Sequence, residues 1–491
     1  MKGTRSIIIP LIICIGVLSA CKNNNIKETV ATKVKKPNIV FVLADQWRAQ
    51  ATGYNGDPNL IGKTPNLDQL AAQGVNFKNA ISVTPVCTPF RAAFLTGQYP
   101  TTTGMIFNDL HLPEESVTLA EQFKDSGYKT GYIGKWHLDG MGRFDYTPPE
   151  RRQGFDYWKA LECSHDYNNL IYYEGNDSEK KKWEGYGPYA ETQDAISYIL
   201  KNAGNEEPFL MVLAWGAPHF PHATAPKEFQ EQFNEEDIIL RGNVADDMRE
   251  VAKKEAVGYY AHILALDKCI GDLEKAIEAA GITENTIIVF TSDHGEMLGS
   301  HSIRPKQKQV PWAESVRIPF LLKYPALFGN KKIEVEAPIN APDILPTLLT
   351  LADLPVPEFV DGESMADAIT KPELKKDKAT LVMNVSPFAG KSDEYRGVYT
   401  SRYAYVKTLD GPLFLFDNKK DTLQLDNLVN KPAYNQLQEE MEVALQNELN
   451  KIGDEFKPRE YYIDKWNYKL NSAGYIDYGK DAKPQGPKLN K

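Results

Sequence analysis

Ile39-Val40-Phe41-Val42-Leu43-Ala44 is an unbroken apolar run that stops at Asp45-Gln46. A strand wetted on one face alternates apolar and polar residues, whereas one covered on both faces does not, so this run predicts a buried strand in a parallel, helix-covered sheet. Three later stretches follow the same plan. Tyr128 to Ile133 ends at Gly134-Lys135-Trp136-His137, Phe209 to Ala214 ends at Trp215-Gly216-Ala217-Pro218-His219, and Thr286 to Phe290 ends at Thr291-Ser292-Asp293-His294-Gly295. Each delivers polar, ligand-capable residues just past its end. Ligands in open α/β sheets bind outside the carboxyl ends of the strands, so these four ends predict one shared crevice. Covering helices are legible too. Thr64-Pro65 opens one with Leu67, Leu70 and Ala71 on one face and Gly74 at its end, and Val257 to Ala280 carries Ile263, Leu264, Leu266, Ile270 and Leu273.

Downstream of about residue 375 the texture changes. Tyr403 to Lys407 and Leu413 to Phe416, separated by Leu409-Asp410-Gly411-Pro412, predict a hairpin. Pro432 then starts a helix carrying Leu437, Met441, Val443, Leu445 and Leu449. The chain is 491 residues long, too long for one small core. These patterns divide it into an α/β domain over 37–375 that carries the four strand ends, a small α+β subdomain over 376–470, and a loose Lys-, Pro- and Gly-containing tail over 471–491.

The N-terminus carries an address. Lys2 and Arg5 precede an apolar run from Ile7 to Val17 and then Leu18-Ser19-Ala20-Cys21, which predicts a signal peptide over 1–20. The run is too short to span a bilayer. Leu-Ser-Ala-Cys resembles the lipobox of bacterial lipoproteins, which implies cleavage before Cys21, lipidation of Cys21, and attachment to the bacterial cell envelope, in the outer membrane on its periplasmic or surface face. Residues 21–36, rich in Lys and Asn, read as a tether. The formal charge of −10 becomes −12 once Lys2 and Arg5 are removed, which argues against a nucleic-acid partner. A polyanionic substrate would need a locally basic site on this acidic background. Only Cys21, Cys87, Cys163 and Cys269 remain after cleavage, too few for a disulfide framework to organise the fold.

The chemistry centres on Cys87-Thr88-Pro89-Phe90-Arg91, followed by Leu95-Thr96-Gly97. Thr88 and Pro89 make a helix start, placing Cys87 just ahead of an N-terminus that attracts anions, with Arg91 one turn on as a fixed cationic fork. Asp45, Gln46, Asp293 and His294 form two oxygen-rich pairs at strand ends that can grip a divalent cation. Lys135 and His137 stand two apart in an extended segment and can reach one anion.

C-x-P-x-R with a downstream L-T-G resembles the site of the type I sulfatases. Gly134-Lys135-Trp136-His137 is similar to that family's G-K-W-H element, Pro218-His219-Phe220-Pro221 to its P-H-x-P element, and Trp312 to Pro319 to its Y-E-E-S-x-R-x-P stretch. The resemblance implies an alkaline-phosphatase-like α/β sandwich, with a large mixed, mostly parallel sheet and a small C-terminal α+β subdomain. It implies that a formylglycine-generating or sulfatase-maturing enzyme converts Cys87 to formylglycine, whose hydrate is the nucleophile. Asp45, Gln46, residue 87, Asp293 and His294 would hold calcium, with magnesium as the alternative. This chain has Gln46 where the family usually has Asp and His294 where it often has Asn, so the site carries less negative charge than usual. Lys135 and the active-site lysine, read as Lys308 with Lys306 as the alternative register, would meet the sulfate together with Arg91. His137 is the candidate base and His219, assisted by Lys308, the candidate acid.

Ser164-His165-Asp166-Tyr167-Asn168-Asn169 and the stretch from Arg396 to Tyr405 resemble loops of exported bacterial polysaccharide sulfatases, which marks His165 and Arg396 as candidate substrate-binding residues. The expected activity is hydrolysis of sulfate esters on a sulfated carbohydrate such as algal ulvan or carrageenan. A phosphate or phosphonate monoester hydrolase and a non-catalytic glycan-binding lipoprotein are the competing readings.

Overall fold

The computed structural model describes residues 35–371, 378–387, 392–478 and 483–488. The expected signal peptide, Cys21 and nearly all of the tether lie outside the described residues. Among them, no helix is long and apolar enough to cross a membrane.

The described residues from 36 onward form one compact unit built on a ten-stranded sheet. Its centre is five parallel strands in the order Thr286–Ser292, Asn38–Asp45, Phe209–Pro218, Lys129–Lys135, Tyr157–Leu161. Val40 pairs with Met211 on one side and Ile288 on the other. Phe320–Lys323 runs antiparallel to Thr286–Ser292 and to Val75–Phe77, so the sheet is mixed.

Every residue of Asn38–Asp45 is buried, and the reason is that two cores claim alternate side chains. Ile39, Phe41 and Leu43 face one core with Phe90 and Phe94 of the Cys87–Thr96 helix, where Phe41 stacks on Phe94 at 5.2 Å. Val40, Val42 and Ala44 face the other, against the helices Pro65–Gln73, Gly187–Asn202 and Arg249–Ala279. A strand between two apolar layers needs no polar alternation.

The C-terminal region is a four-stranded antiparallel sheet, Thr380–Asn384, Tyr395–Tyr399, Tyr403–Thr408 and Gly411–Asp417, covered by the helix Asn435–Lys451. Pro432–Tyr434 forms a 3-10 turn ahead of that helix. Met441, Leu445 and Leu449 point inward, whereas Val443 is 60% exposed and lies off the packing face. Leu381, Val398, Tyr405 and Leu415 join the same core as Ile39, so apolar packing is continuous across the expected domain boundary. The tail is not loose over its described part. His111 N donates to Gln485 O at 2.7 Å, and Tyr478 packs under the Arg143 guanidinium at 3.9 Å. Main-chain bonding and ring stacking give this polar segment a seat that its composition does not announce.

Candidate functional site

The carboxyl ends of the parallel strands converge as expected. Asp45 closes the central strand, Asp293 and His294 follow Thr286–Ser292, Lys135 ends its strand, and His219 follows Pro218. Gln46 and His137 have φ values of 64° and 60°, left-handed turns that swing the chain sharply at the strand ends. The Cys87–Thr96 helix begins at Cys87 itself, with Val86 as N-cap. Thr88 does not cap it. Its hydroxyl instead donates to the His137 carbonyl at 2.9 Å, tying the helix start to the histidine turn.

Ligand atoms of Asp45, Cys87, Asp293 and His294 all lie within 4.8 Å of one another, and all four residues are buried. The donor set fits a divalent cation on three counts. Asp293 Oδ1 accepts from Gln46 N at 3.0 Å, but its Oδ2 is buried and, although the Arg91 guanidinium lies 3.5 Å away, makes no hydrogen bond among the described residues. Burial and the neighbouring Asp45 charge push the Asp293 carboxyl up to about 6, the direction in which two facing buried carboxylates move one another. His294 Nδ1 bonds the Gly295 carbonyl at 3.1 Å, which selects the tautomer that presents Nε2 to the cluster, 3.4 Å from Cys87 Sγ. Gln46 bonds Glu296 through Nε2, and its Oε1 lies 3.4 Å from Lys308 Nζ.

Three cations surround this cluster. Lys135 Nζ donates to Asp45 at 2.6 Å and lies 3.6 Å from Cys87 Sγ, and Lys308 Nζ lies 3.2 Å from the same sulfur. Burial alone would raise the Asp45 pKa, but Lys135, His219 and Lys308 hold its carboxyl well below the usual range. The structure separates the two lysine registers. Lys306 Nζ pairs with Glu255 at 2.7 Å, so Lys308 is the lysine at residue 87. Arg91 differs from expectation. Fully buried, it donates to the Lys135 carbonyl at 2.7 Å and sits 3.4 and 3.5 Å from Asp45 and Asp293, behind the carboxylates rather than at the cavity wall. Its fork orients the ligands.

His137 carries a partner that the sequence did not reveal. Nε2 bonds Asp109 at 3.2 Å, and Asp109 is gripped in turn by Arg143 through two 2.9 Å bonds. Burial lowers the His137 pKa, but Cys163, Asp109 and Cys87 outweigh it and raise it to about 9. With Nε2 held by Asp109 and no well-formed hydrogen bond to Nδ1 among the described residues, Nδ1 is the nitrogen available for proton transfer. Glu162 anchors the same turn by accepting from the backbone N–H groups of Leu138, Asp139 and Gly140 at 3.1, 2.8 and 3.0 Å. His219 bonds the Phe220 carbonyl through Nδ1 at 2.8 Å and stacks on His165 at 3.9 Å. Burial, His165 and Lys308 together push its pKa well below the usual imidazole range.

These groups line a cavity of about 250 Å³ that includes Cys87, Lys135, His137, His165, His219 and Lys308. Cys163 also lines it, its thiol drawn down to about 5 because Lys135, His137 and His165 outweigh burial. Arg396 does not belong here. It is fully buried in the C-terminal sheet, bonding Asp454 at 2.5 Å and Tyr462 at 3.1 Å, and serves that subdomain's packing. Asp109, Arg143, Glu162 and Cys163 escaped the sequence reading because none lies in a motif. For Asp109, the Asn108-Asp109 dipeptide was the available signal, since both types tolerate the left-handed φ of 63° found there.

The Sulfatase family profile matches residues 37–354, and a second profile, N-sulphoglucosamine sulphohydrolase, C-terminal, matches residues 303–451. An ulvan-active sulfatase of Formosa agariphila is 50% identical, the alignment covering 95% of this chain and 91% of that protein. An endo-4-O-sulfatase of Bacteroides thetaiotaomicron is 29% identical over 87% of this chain and 95% of that protein. Among solved structures, one in complex with its substrate D-glucosamine-2-N,6-O-disulfate superposes with a TM-score of 0.75 at 25% identity, covering 87% of this chain and all of that one.

Proposed function

Because this chain belongs to the sulfatase family and hydrolyses sulfuric esters of carbohydrates, we propose that it removes sulfate from ulvan or its oligosaccharides, using residue 87 matured from Cys to formylglycine. The observation that carries this reading is the seating of Cys87, between Lys135, Lys308 and the Asp45–Asp293–His294 cluster, at the foot of an open cavity. The 50% identity to an ulvan-active sulfatase supports the substrate class.

Calcium, or magnesium, bound by Asp45, Gln46, Asp293, His294 and residue 87 would supply positive charge that lowers the nucleophile's pKa and draws electron density from the sulfate. The chain's own residues do the rest. Lys135 and Lys308 meet the sulfate oxygens and offset the charge that otherwise repels an attacking oxygen. One hydroxyl of the hydrated residue 87, having first lost its proton to solvent, attacks sulfur as the bond from sulfur to the sugar oxygen breaks. His219 gives that departing oxygen its proton. Its depressed pKa leaves it neutral in the free site, so the arriving anionic sulfate has to raise it before it can act as acid. His137, whose raised pKa keeps it protonated in the free site, has to lose its Nδ1 proton to solvent before it can act as base; with Nε2 held by Asp109 it then takes the proton of the second hydroxyl, and the carbon–oxygen bond to sulfate breaks to restore the aldehyde and release sulfate. Water hydrates the aldehyde for the next cycle.

The lipobox-like Leu18-Ser19-Ala20-Cys21 supports a bacterial lipoprotein held to the cell envelope through Cys21. Labelled palmitate should enter the wild-type chain and be absent from Cys21→Ala.

The test of the function is sulfate release from defined ulvan oligosaccharides by protein co-produced with a maturing enzyme, compared with 4-nitrophenyl sulfate and phosphate. The peptide containing residue 87 should show the mass of an aldehyde in active protein. Full activity with an unmodified thiol, or faster turnover of the phosphate ester than of any sulfate, would overturn the reading.

A further inference from the structure

Beside the catalytic cavity lies a second one of about 280 Å³, lined by Phe107, Asn108, Asp109 and Arg143 on one side and by Tyr475, Ile476 and Tyr478 of the C-terminal segment on the other. Asn108 and Arg143 line both cavities, so the two are neighbours across a shared wall. We propose that this second cavity is a sugar subsite, in which the C-terminal segment receives the glycosyl residue next to the one that carries the sulfate.

The lining has the chemistry of a pyranose ring, which offers a patch of C–H groups on its face and hydroxyls around its rim. Tyr478 supplies exposed aromatic surface above a floor of the buried Phe107 and Ile476, and it is held in place by the Arg143 guanidinium 3.9 Å from its ring centre. Asn108 spends its amide oxygen on the Thr88 backbone N–H, which leaves its NH₂ group as a donor for a sugar oxygen. Arg143 binds Asp109 through Nε and Nη2, and this pairing offsets its charge. The wall therefore offers donors to hydroxyl groups, while the lysines of the first cavity serve the sulfate. The catalytic cavity, at about 250 Å³, has room for little more than one sulfated sugar, so the rest of a longer chain lies outside it. The second cavity, adjoining at Asn108 and Arg143, is placed to take the next ring.

This inference rests on the proposed sulfated-carbohydrate substrate. Its test compares kcat/KM of matured enzyme on a sulfated monosaccharide with kcat/KM on sulfated di- and trisaccharides from ulvan that contain the same unit. The wild type should favour the longer substrates by about tenfold or more. Tyr478→Ala, at a side chain that is 43% exposed, should reduce that preference several-fold, and Tyr478→Trp should retain it. Unsulfated oligosaccharide product should inhibit the wild type more strongly than Tyr478→Ala. Equal kcat/KM on short and long substrates in the wild type, or an unchanged preference in Tyr478→Ala, overturns the subsite and leaves the activity standing. No sulfate release from any of these sugars by aldehyde-bearing wild type overturns the substrate reading and the subsite together.

Discussion

Replacing the two cluster carboxylates one at a time should have opposite effects on the metal-free protein. Asp45 accepts from Lys135 at 2.6 Å and lies 3.4 Å from Arg91, and the surrounding charges, Lys135 foremost, keep it ionised despite burial. Asp45→Asn leaves them short of one negative charge, and breaking such a buried pair costs about 3–5 kcal/mol. Asp293 is the reverse case. Burial and the Asp45 charge push it from the ordinary 3.8 up to about 6, so the folded chain holds that proton more tightly than the unfolded chain does. Stability therefore declines as pH rises from about 4 to 6, and above that window the ionised group costs about 3 kcal/mol. Asp293→Asn should remove this slope and stabilise the metal-free protein at pH 8 by up to that amount. Added calcium should reverse the order, stabilising the wild type through binding of both carboxylates and adding little to either variant. Urea denaturation at pH 5, 6.5 and 8, with EDTA or with excess calcium, reads all of these quantities. Sulfate release should fall about a thousandfold or more in both variants. Asp293→Asn weakening the metal-free protein as much as Asp45→Asn does, or calcium raising its midpoint as far as that of the wild type, would overturn this assignment of charges.

His262 gives a pH effect remote from the chemistry. Buried, with Nδ1 accepting from the Tyr186 hydroxyl at 2.6 Å, it is pushed down to about 3 by burial and His222, so only the unfolded chain takes up its proton near pH 6. Its contribution should fall by about 1.4 kcal/mol between pH 8 and pH 5.5, and a pH-independent difference between the wild type and His262→Gln in urea midpoints would refute this. Asp109→Asn should lower kcat about a hundredfold or more by releasing the imidazole it orients, with KM little changed; steady-state kinetics at fixed pH check it. His137→Ala should release one desulfated sugar per site and then stall with sulfate on residue 87. His219→Ala should slow the first step most for sugar alcohols and least for nitrophenol, and a trapped adduct in His219→Ala but not in His137→Ala would reverse the two roles.

What could be read along the chain was whatever a local run of residues records. Asn38–Asp45, Thr286–Ser292 and their parallel neighbours were legible because a strand packed between two apolar layers must be apolar throughout, and the ligands follow because parallel strands deliver their ends to one edge. The Cys87 to Arg91 motif was legible because helix start, nucleophile and cation lie within one turn. Relations between distant segments were not. Arg91 and Arg396 look alike in sequence, two arginines near aromatic and apolar residues. Packing put one behind the Asp45–Asp293 pair and locked the other onto Asp454 in the C-terminal sheet. Asp109 meets His137, Glu162 pins residues 138–140, and Tyr478 comes back from the C-terminus to stack on Arg143, each through a contact that no residue spacing encodes. A strand's burial is a property of its own side chains, whereas the partner of a buried charge is chosen by whichever segment the closed fold brings beside it.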